Sequence, residues 1–125
     1  MLFRSEVADT PGVHGIATAP KLGLGFTSNG RENKASVFDL KTLKTTMKVD
    51  TGENPDAILY SEGQQEVYTF NGRGNSATVF EAKTGNVVTT IPLPGKPEFA
   101  RCSVRARRIY VNLEDKSEEI GRAHV

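Results

Sequence analysis

Short runs of apolar and β-branched residues alternate with polar positions along the chain, and clusters of Gly, Asn, Pro and Asp separate them. In residues 66–70, for example, Val67 and Thr69 would face one side of a strand, and Tyr68 and Phe70 the other side. Runs of this kind, bounded by turn-forming residues, are typical of β-strands, and no stretch has the period of an amphipathic helix. The pattern therefore predicts an all-β fold.

The strands and turns repeat every 42 residues without a gap, as the alignment of residues 27–42 with residues 69–84 shows. Both segments read Thr-x-Asn-Gly-Arg-x-Asn-x-Ala-x-Val-Phe-x-x-Lys-Thr. A further step of 42 residues places Ile109 and Tyr110 on Val67 and Tyr68. A repeat of about 40 residues with strand-like content indicates the blades of a β-propeller.

Each repeat is expected to form one four-stranded antiparallel sheet. The third repeat is expected to contain only three strands before the pattern is lost. The predicted strands are 16–19, 24–28, 35–40 and 44–49 in the first repeat, 56–61, 66–70, 77–82 and 87–93 in the second, and 98–103, 108–113 and 117–121 in the third.

The N-terminal residues belong to the same pattern. Residues 3–9 align, two periods earlier, with the predicted fourth strand of the second repeat. We therefore expect the chain to begin with the outer strand of a blade whose other three strands stand at the far end of the sequence. The predicted units are an outer strand (1–10), two complete blades (12–53 and 54–95) and the first three strands of the split blade (97–121).

Three blades do not close a ring, because propellers usually need four to eight. The chain would then expose unpaired strand edges and two apolar sheet faces. We expect a homo-oligomer, with a dimer that forms a six-bladed ring favoured, in which each chain lends its first strand to the other. The alternatives are that the sequence is a piece of a longer propeller or a truncated gene product.

Composition excludes several classes of function. The 125 residues include 16 Lys and Arg against 15 Asp and Glu, so no overall charge favours nucleic acid. No apolar run is long enough to span a membrane, and the N-terminus lacks the apolar core of a signal peptide. Cys102 is the single cysteine, which excludes an internal disulfide. The compartment is left unassigned.

Several segments resemble the YVTN-type β-propeller repeat proteins, in particular their YncE-like bacterial branch. The segments that carry the resemblance are Ile-Tyr-Val-Asn at 109–112, Ala-Ser-Val-Phe-Asp at 35–39 and Ala-Thr-Val-Phe-Glu at 77–81. The resemblance implies a propeller fold. Members are usually seven-bladed and often periplasmic or at the cell surface, and related propellers include lactonases and cofactor-bearing oxidoreductases.

The first strand of each propeller blade lines the central channel, so residues one period apart form a ring there. At the start of this strand the equivalent residues are His14, Asp56 and Glu98. An imidazole and two carboxylates could bind a divalent metal or perform acid–base chemistry. The alternative, which we favour, is that these polar side chains simply line a solvated channel mouth.

An Asn-Gly-Arg loop joins the second and third strands of the first two repeats. Asn-Gly is turn chemistry, in which Gly would supply a positive φ. Arg31 and Arg73 are candidates for binding a carboxylate or phosphate. The alternative, which we favour, is a repeated structural role such as an inter-blade salt bridge to Asp39 or Glu81.

Taken together, the sequence favours a non-catalytic binding or scaffold module that recognises a ligand or protein partner at the channel mouth. The alternative is a metal-dependent, lactonase-like hydrolase that uses His14, Asp56 and Glu98. No catalytic residue is assigned, and a divalent metal is the one candidate cofactor.

Overall fold

The computed structural model describes residues 6–103, 108–113 and 116–122, and it is all-β apart from one short 3₁₀ turn in these residues. The first sheet contains β1 (Val13–Ala19), β2 (Leu24–Asn29), β3 (Lys34–Asp39) and β4 (Thr45–Asp50), each antiparallel to the next. The 3₁₀ turn, Pro20–Leu22, connects β1 to β2.

The second sheet repeats the first. It contains β5 (Pro55–Ser61), β6 (Glu66–Asn71), β7 (Ser76–Glu81) and β8 (Val87–Pro92) in the same antiparallel order. Every strand bound of these two sheets agrees with the sequence prediction to within one residue, except that β1 begins three residues earlier than expected.

The third sheet has three strands in the described part of the chain. They are β9 (Pro97–Ser103), β10 (Arg108–Leu113) and β11 (Lys116–Arg122), with β10 in the centre. The edge of β11 is therefore the place where a fourth strand would complete the blade. The strand pattern confirms the prediction of four-stranded antiparallel blades in an incomplete ring.

The three sheets pack face to face through two apolar cores. Between the first and second sheets, the Phe26 ring lies 5.8 Å from that of Tyr60 and 6.3 Å from that of Phe80. Between the second and third sheets, Tyr68 and Phe70 pack with the apolar residues of β10. Burial of these aromatic and β-branched side chains supplies the main driving force for stacking the blades.

The first strands of the three sheets are neighbours, since β1 contacts β5 and β5 contacts β9. They are the inner strands of the partial ring, and the fourth strands lie at its outer edge. The starts of the inner strands share one face of the ring with the β2–β3 and β6–β7 loops. We call this side the loop face, and the side with the β3–β4 and β7–β8 turns the turn face.

A buried hydrogen-bond network recurs in the first two sheets. In the second, the Oδ1 of Asn71 accepts a hydrogen bond from the Thr69 hydroxyl at 3.1 Å, and its Nδ2 donates to Ser76 and Thr78 at 3.0 Å each. Asn29 makes the bonds to Thr27 and Ser36 that correspond to those with Thr69 and Thr78, but its third hydrogen bond is donated to the Glu32 carboxylate. The repeated Asn is therefore conformationally fixed inside the blade, where each amide group has its partners.

Residues 6–10 lie outside the strands, whereas residues 1–5 lie outside the described part of the chain. The predicted outer strand at 3–9 is thus only partly described. Asp9 and Glu32 form ion pairs with Lys48 at 3.0 and 2.8 Å. The hydrogen bonds from Lys48 to Glu32 and Asp9 both raise the pKa of Lys48, and the bond to Glu32 has the larger effect.

Candidate functional site

Each inner strand has a β-bulge at its first residues, on the loop face. The ladder between β1 and β2 skips His14, and the ladder between β5 and β6 skips Asp56 and Ala57. In the third sheet the ladder skips Glu98. A bulge re-aims the side chain of the extra residue, and bulges are common beside binding sites. The three residues predicted to form a channel ring are therefore the bulge residues of their strands.

The structure brings two of these three residues together. His14 Nδ1 lies 3.5 Å from Asp56 Oδ1, and both side chains are partly exposed, at 45% and 41%. Ser28 fixes this approach, because its hydroxyl accepts a hydrogen bond from the Gly15 N–H at 3.0 Å and donates to the Asp56 carbonyl. The two inner strands are thus bridged directly below the pair.

Glu98 does not join this pair in a metal-binding group. Across the described residues, no three His, Cys, Asp or Glu side chains lie close enough together to hold a metal ion. Glu98 is exposed at the start of β9. The 42-residue period places each of these residues at the same position of its own blade. It does not bring the side chains of three successive blades close to one another. The donor set within one chain does not fit a metal centre.

The loops on this face are clamped to the segment before each inner strand. The Gly30 N–H donates to the Gly12 carbonyl at 2.9 Å, and the Gly72 N–H donates to the Asn54 carbonyl at 2.8 Å. The backbone N–H of the arginine that follows each glycine also donates a hydrogen bond. Arg31 donates to the Pro11 carbonyl and Arg73 to the Glu53 carbonyl, both at 3.3 Å. These equivalent clamps hold the bases of the two Arg side chains in the same orientation in successive blades.

The glycines of the Asn-Gly-Arg loops do not have the backbone conformation that the sequence predicted. Neither Gly30 nor Gly72 has a positive φ. The left-handed residues are instead Asn33, at φ 55°, and Asn75, at φ 44°. Asn tolerates this conformation better than most residues do. The prediction that Gly supplies a positive φ in these loops is therefore wrong, since the left-handed residue lies three positions later.

Gly30 is required for a different reason, which is close packing. A Cβ at this position would lie 2.7 Å from Asn54 Oδ1 and 2.8 Å from His14 Cδ2. The Asn54 side chain also faces Gly72, where the nearest approach to a Cβ would be 3.3 Å. Asn54 is held further by its backbone N–H, which donates to Asn33 Oδ1 at 2.9 Å. Asn54 therefore sits between the loops of two blades.

These loops enclose a cleft of about 580 Å³ between the first two blades. It unites His14 with both candidate arginines, which the sequence had assigned to two separate features. We call it the loop cleft. Its lining residues are Gly12, Val13, His14, Gly30, Arg31, Asn33, Glu53, Asn54 and Arg73.

The two arginines are exposed and available to a ligand. Within the described parts of the chain, neither Arg31 nor Arg73 forms an ion pair. The predicted salt bridge to Asp39 or Glu81 is therefore wrong for the described residues, and the Asp39 carboxylate instead accepts hydrogen bonds from the backbone N–H groups of Lys41 and Thr42 at 2.7 and 2.9 Å. Both hydrogen bonds lower the pKa of Asp39, and the bond from Thr42 has the larger effect.

Sequence reasoning missed three polar residues of the cleft: Asn33, Glu53 and Asn54. Asn33 carried a signal, since it recurs in the repeat as Asn75. Glu53 and Asn54 carried none, because the residues one period earlier are Pro11 and Gly12. Their role depends on the neighbouring blade, whose loop they contact.

No family model matches the sequence, and no curated protein matches it at a significant level. Solved structures match well in fold. Hydrazine synthase from Kuenenia stuttgartiensis has a TM-score of 0.77 at 21% identity, over 90% of this chain and 32% of that one. A functionally unknown protein from Desulfotomaculum acetoxidans has a TM-score of 0.73 at 21% identity, over 82% of this chain and 35% of that one.

Two propeller domains match to a similar extent. The β-propeller domain of Cps50 (Swd1) from Myceliophteria thermophila has a TM-score of 0.76 at 10% identity, over 94% of this chain and 37% of that one. The WD40 propeller domain of Doa1 has a TM-score of 0.73 at 14% identity, over 86% and 35%. The chain thus spans about a third of each of these structures. The chain has the β-propeller fold, covers part of the ring, and in its described residues contains no helix able to cross a membrane.

Proposed function

We propose that this protein is a non-catalytic propeller module that binds a ligand or protein partner in the loop cleft, at the mouth of the channel. The observation that carries the proposal is the convergence of Arg31, Arg73 and His14 on one cleft between two blades. Two guanidinium groups without an ion pair among the described residues provide charge and hydrogen-bond donors for recognition.

The comparisons support a binding role in general terms, since propellers of the WD40 type are among the structures that this chain resembles. Loops on a rigid scaffold are also the usual place for recognition. Within this class we favour membership of the YVTN-type, YncE-like bacterial propellers, on the strength of the segments at 35–39, 77–81 and 109–112.

Binding in the loop cleft can be tested by NMR on the ¹⁵N-labelled chain with a mixture of anionic, neutral and cationic small compounds. We expect amide chemical-shift changes at Gly30, Asn54 and Gly72 and none at Gly63. Gly63 lies on the turn face, where a Cβ would have no other atom within 4 Å. Shifts at Gly63 alone, or no shift with any compound, would contradict the proposal.

A hydrolase is the second candidate, and the approach of His14 to Asp56 is the observation that favours it. An imidazole near a carboxylate can serve acid–base chemistry. The Glu98 position does not fit the metal site that the sequence suggested. If elemental analysis finds no stoichiometric divalent ion, and His14→Ala leaves ligand binding intact, this candidate is eliminated.

We also propose that the chain self-associates, with a dimer favoured. The positions that pack between adjacent blades inside the chain recur on its two outer faces. Tyr68 is buried against the third sheet, whereas its equivalent Tyr110 is 39% exposed. Ile58 packs into the first core, whereas its equivalent Ile16 is 63% exposed. A second copy would cover both faces in a head-to-tail contact.

The position of residues 6–9 supports this assembly. Within the chain, β4 passes Gly85 at the β7–β8 turn, with Met47 and Val49 nearest. Residues 6–9 lie near the corresponding turn of the first sheet, because Glu6, Ala8 and Asp9 line a cavity of about 360 Å³ with the β3–β4 turn. This proximity supports the proposal that the segment follows the course of the outer strand of a preceding blade.

Light scattering tests the assembly. We expect an integral multiple of the 13.6 kDa chain mass, and a shift to monomer in Tyr110→Lys, since a buried charge at the junction is costly. The matched control is Val88→Lys, which places the same charge on an exposed position of the outer strand β8. A stable, folded wild-type monomer would contradict this proposal.

A further inference from the structure

We infer that the ligand of the loop cleft is a short peptide segment that carries one acidic side chain. This inference rests on the proposed binding function and specifies its ligand. The argument uses the charges of the cleft, its side-chain amides and its size.

The charged side chains of the cleft suit a single carboxylate. Arg31 and Arg73 contribute two positive charges and Glu53 one negative charge, which leaves a formal net charge of +1 from these three side chains. The planar guanidinium group binds a carboxylate through two parallel hydrogen bonds. A phosphate dianion would lose more hydration free energy than a carboxylate on entering the cleft, and the net charge of +1 balances only one of its two negative charges.

The uncharged polar groups suit a peptide backbone. Asn33 uses its Oδ1 to hold the Asn54 N–H, so its Nδ2 remains as a donor towards the cleft. The Asn54 side-chain amide carries both a donor and an acceptor, as a peptide group does. Glu53 can accept a hydrogen bond from a peptide N–H. The lining thus offers both donors and acceptors in addition to the two guanidinium groups.

The volume of the cleft limits the length of this segment. About 580 Å³ falls within the range of roughly 300–1,000 Å³ that is typical of small-ligand pockets. The cleft can therefore enclose a few residues of an extended chain and not a folded element. The position between two blades leaves both ends of such a segment free to continue over the loop face.

Isothermal titration calorimetry on the full chain, with capped pentapeptides as probes, tests the inference. The probes are acetyl-Ala-Ala-Glu-Ala-Ala-amide, its counterparts with Gln or phosphoserine in the centre, and free glutarate. We expect the Glu peptide to bind about tenfold or more tightly than the Gln peptide, because one charge-assisted pair is lost. We also expect it to bind more tightly than the phosphoserine peptide and glutarate.

Variants of the cleft provide the second arm. Arg31→Gln and Arg73→Gln should each weaken the Glu peptide about tenfold or more and leave the Gln peptide nearly unchanged. Arg31→Lys should recover part of the loss, since charge returns without the planar fork. Lys83→Gln is the control with the same charge change, on the turn face of the second blade.

The outcomes separate this inference from the proposed function. If the Gln peptide or the phosphoserine peptide binds the cleft as well as the Glu peptide does, the ligand class is wrong and the binding function stands. If glutarate binds as tightly as the Glu peptide, the peptide part is wrong and the carboxylate part stands. If no probe binds and the NMR mixture shifts no loop-face resonance, both proposals fail.

Discussion

The buried network around Asn71 gives the most exact prediction of the effect of a single substitution. Asn71→Ala removes an amide that is fully buried between β6 and β7. Three hydrogen bonds disappear: one accepted from Thr69 and two donated to Ser76 and Thr78. Thr69 is itself buried, so its hydroxyl loses its partner where water cannot replace it.

The expected destabilisation follows from these contacts. Each buried hydrogen bond contributes about 1 kcal/mol net, and the stranded hydroxyl adds about 1–3 kcal/mol of uncompensated desolvation. The sum is about 4–6 kcal/mol, a large fraction of the roughly 5–15 kcal/mol that stabilises a typical domain. Asn29→Ala in the first sheet should have a comparable effect, since its amide also makes three hydrogen bonds, two of them equivalent to those of Asn71.

Urea unfolding followed by circular dichroism measures the effect, at one protein concentration for all variants. With an m-value of about 2 kcal/mol/M, the midpoint of Asn71→Ala should fall by about 2–3 M. The matched control is Asn86→Ala in the exposed β7–β8 turn, which should change stability by less than about 0.5 kcal/mol. A loss below about 1 kcal/mol for Asn71→Ala would refute the structural role of the network.

Two further predictions concern close packing and acid stability. Gly25→Ala should lower the free energy of unfolding by about 1–3 kcal/mol or more, because the new Cβ would overlap the Phe38 ring, whereas Gly63→Ala should be nearly neutral in the same urea assay. Asp39 has a pKa below its usual value, so its stabilising contribution is present above about pH 4 and is lost as the pH falls through its folded-state pKa. Asp39→Asn should therefore reduce the acid dependence of the urea midpoint below about pH 4; an unchanged pH profile would contradict the capping role of this carboxylate.

The sequence predicted the strands well because each blade encodes its own hydrogen-bonding partners locally. Successive strands of one sheet are joined by short turns, so apolar alternation and turn residues predict register and boundaries together. The role of the repeated Asn was not predicted in the same way. Asn29 and Asn71 precede a glycine, which indicates a turn, but both side chains point into the sheet and bond to the next strand. Because Asn is common both in turns and in buried hydrogen-bond networks, its presence before Gly did not distinguish the two roles.

The candidate site was predicted in part. The period identified His14 and Asp56 as equivalent inner-strand residues, and the structure brings them within 3.5 Å. It also identified Arg31 and Arg73, but not that both line the cleft that holds His14. A period relates a residue to its copies, whereas a cleft between blades joins non-equivalent residues. Contacts such as that of Asn54 with Gly30 depend on how two sheets stack, and periodicity carries no information about this.

The crystal structure of the chain in complex with the acidic pentapeptide would test the central claim, that two successive loops form one recognition site. The account predicts the peptide on the loop face between the first two sheets, with its carboxylate within hydrogen-bond distance of both Arg31 and Arg73. A peptide bound on the turn face, or one whose carboxylate contacts neither arginine, would contradict it.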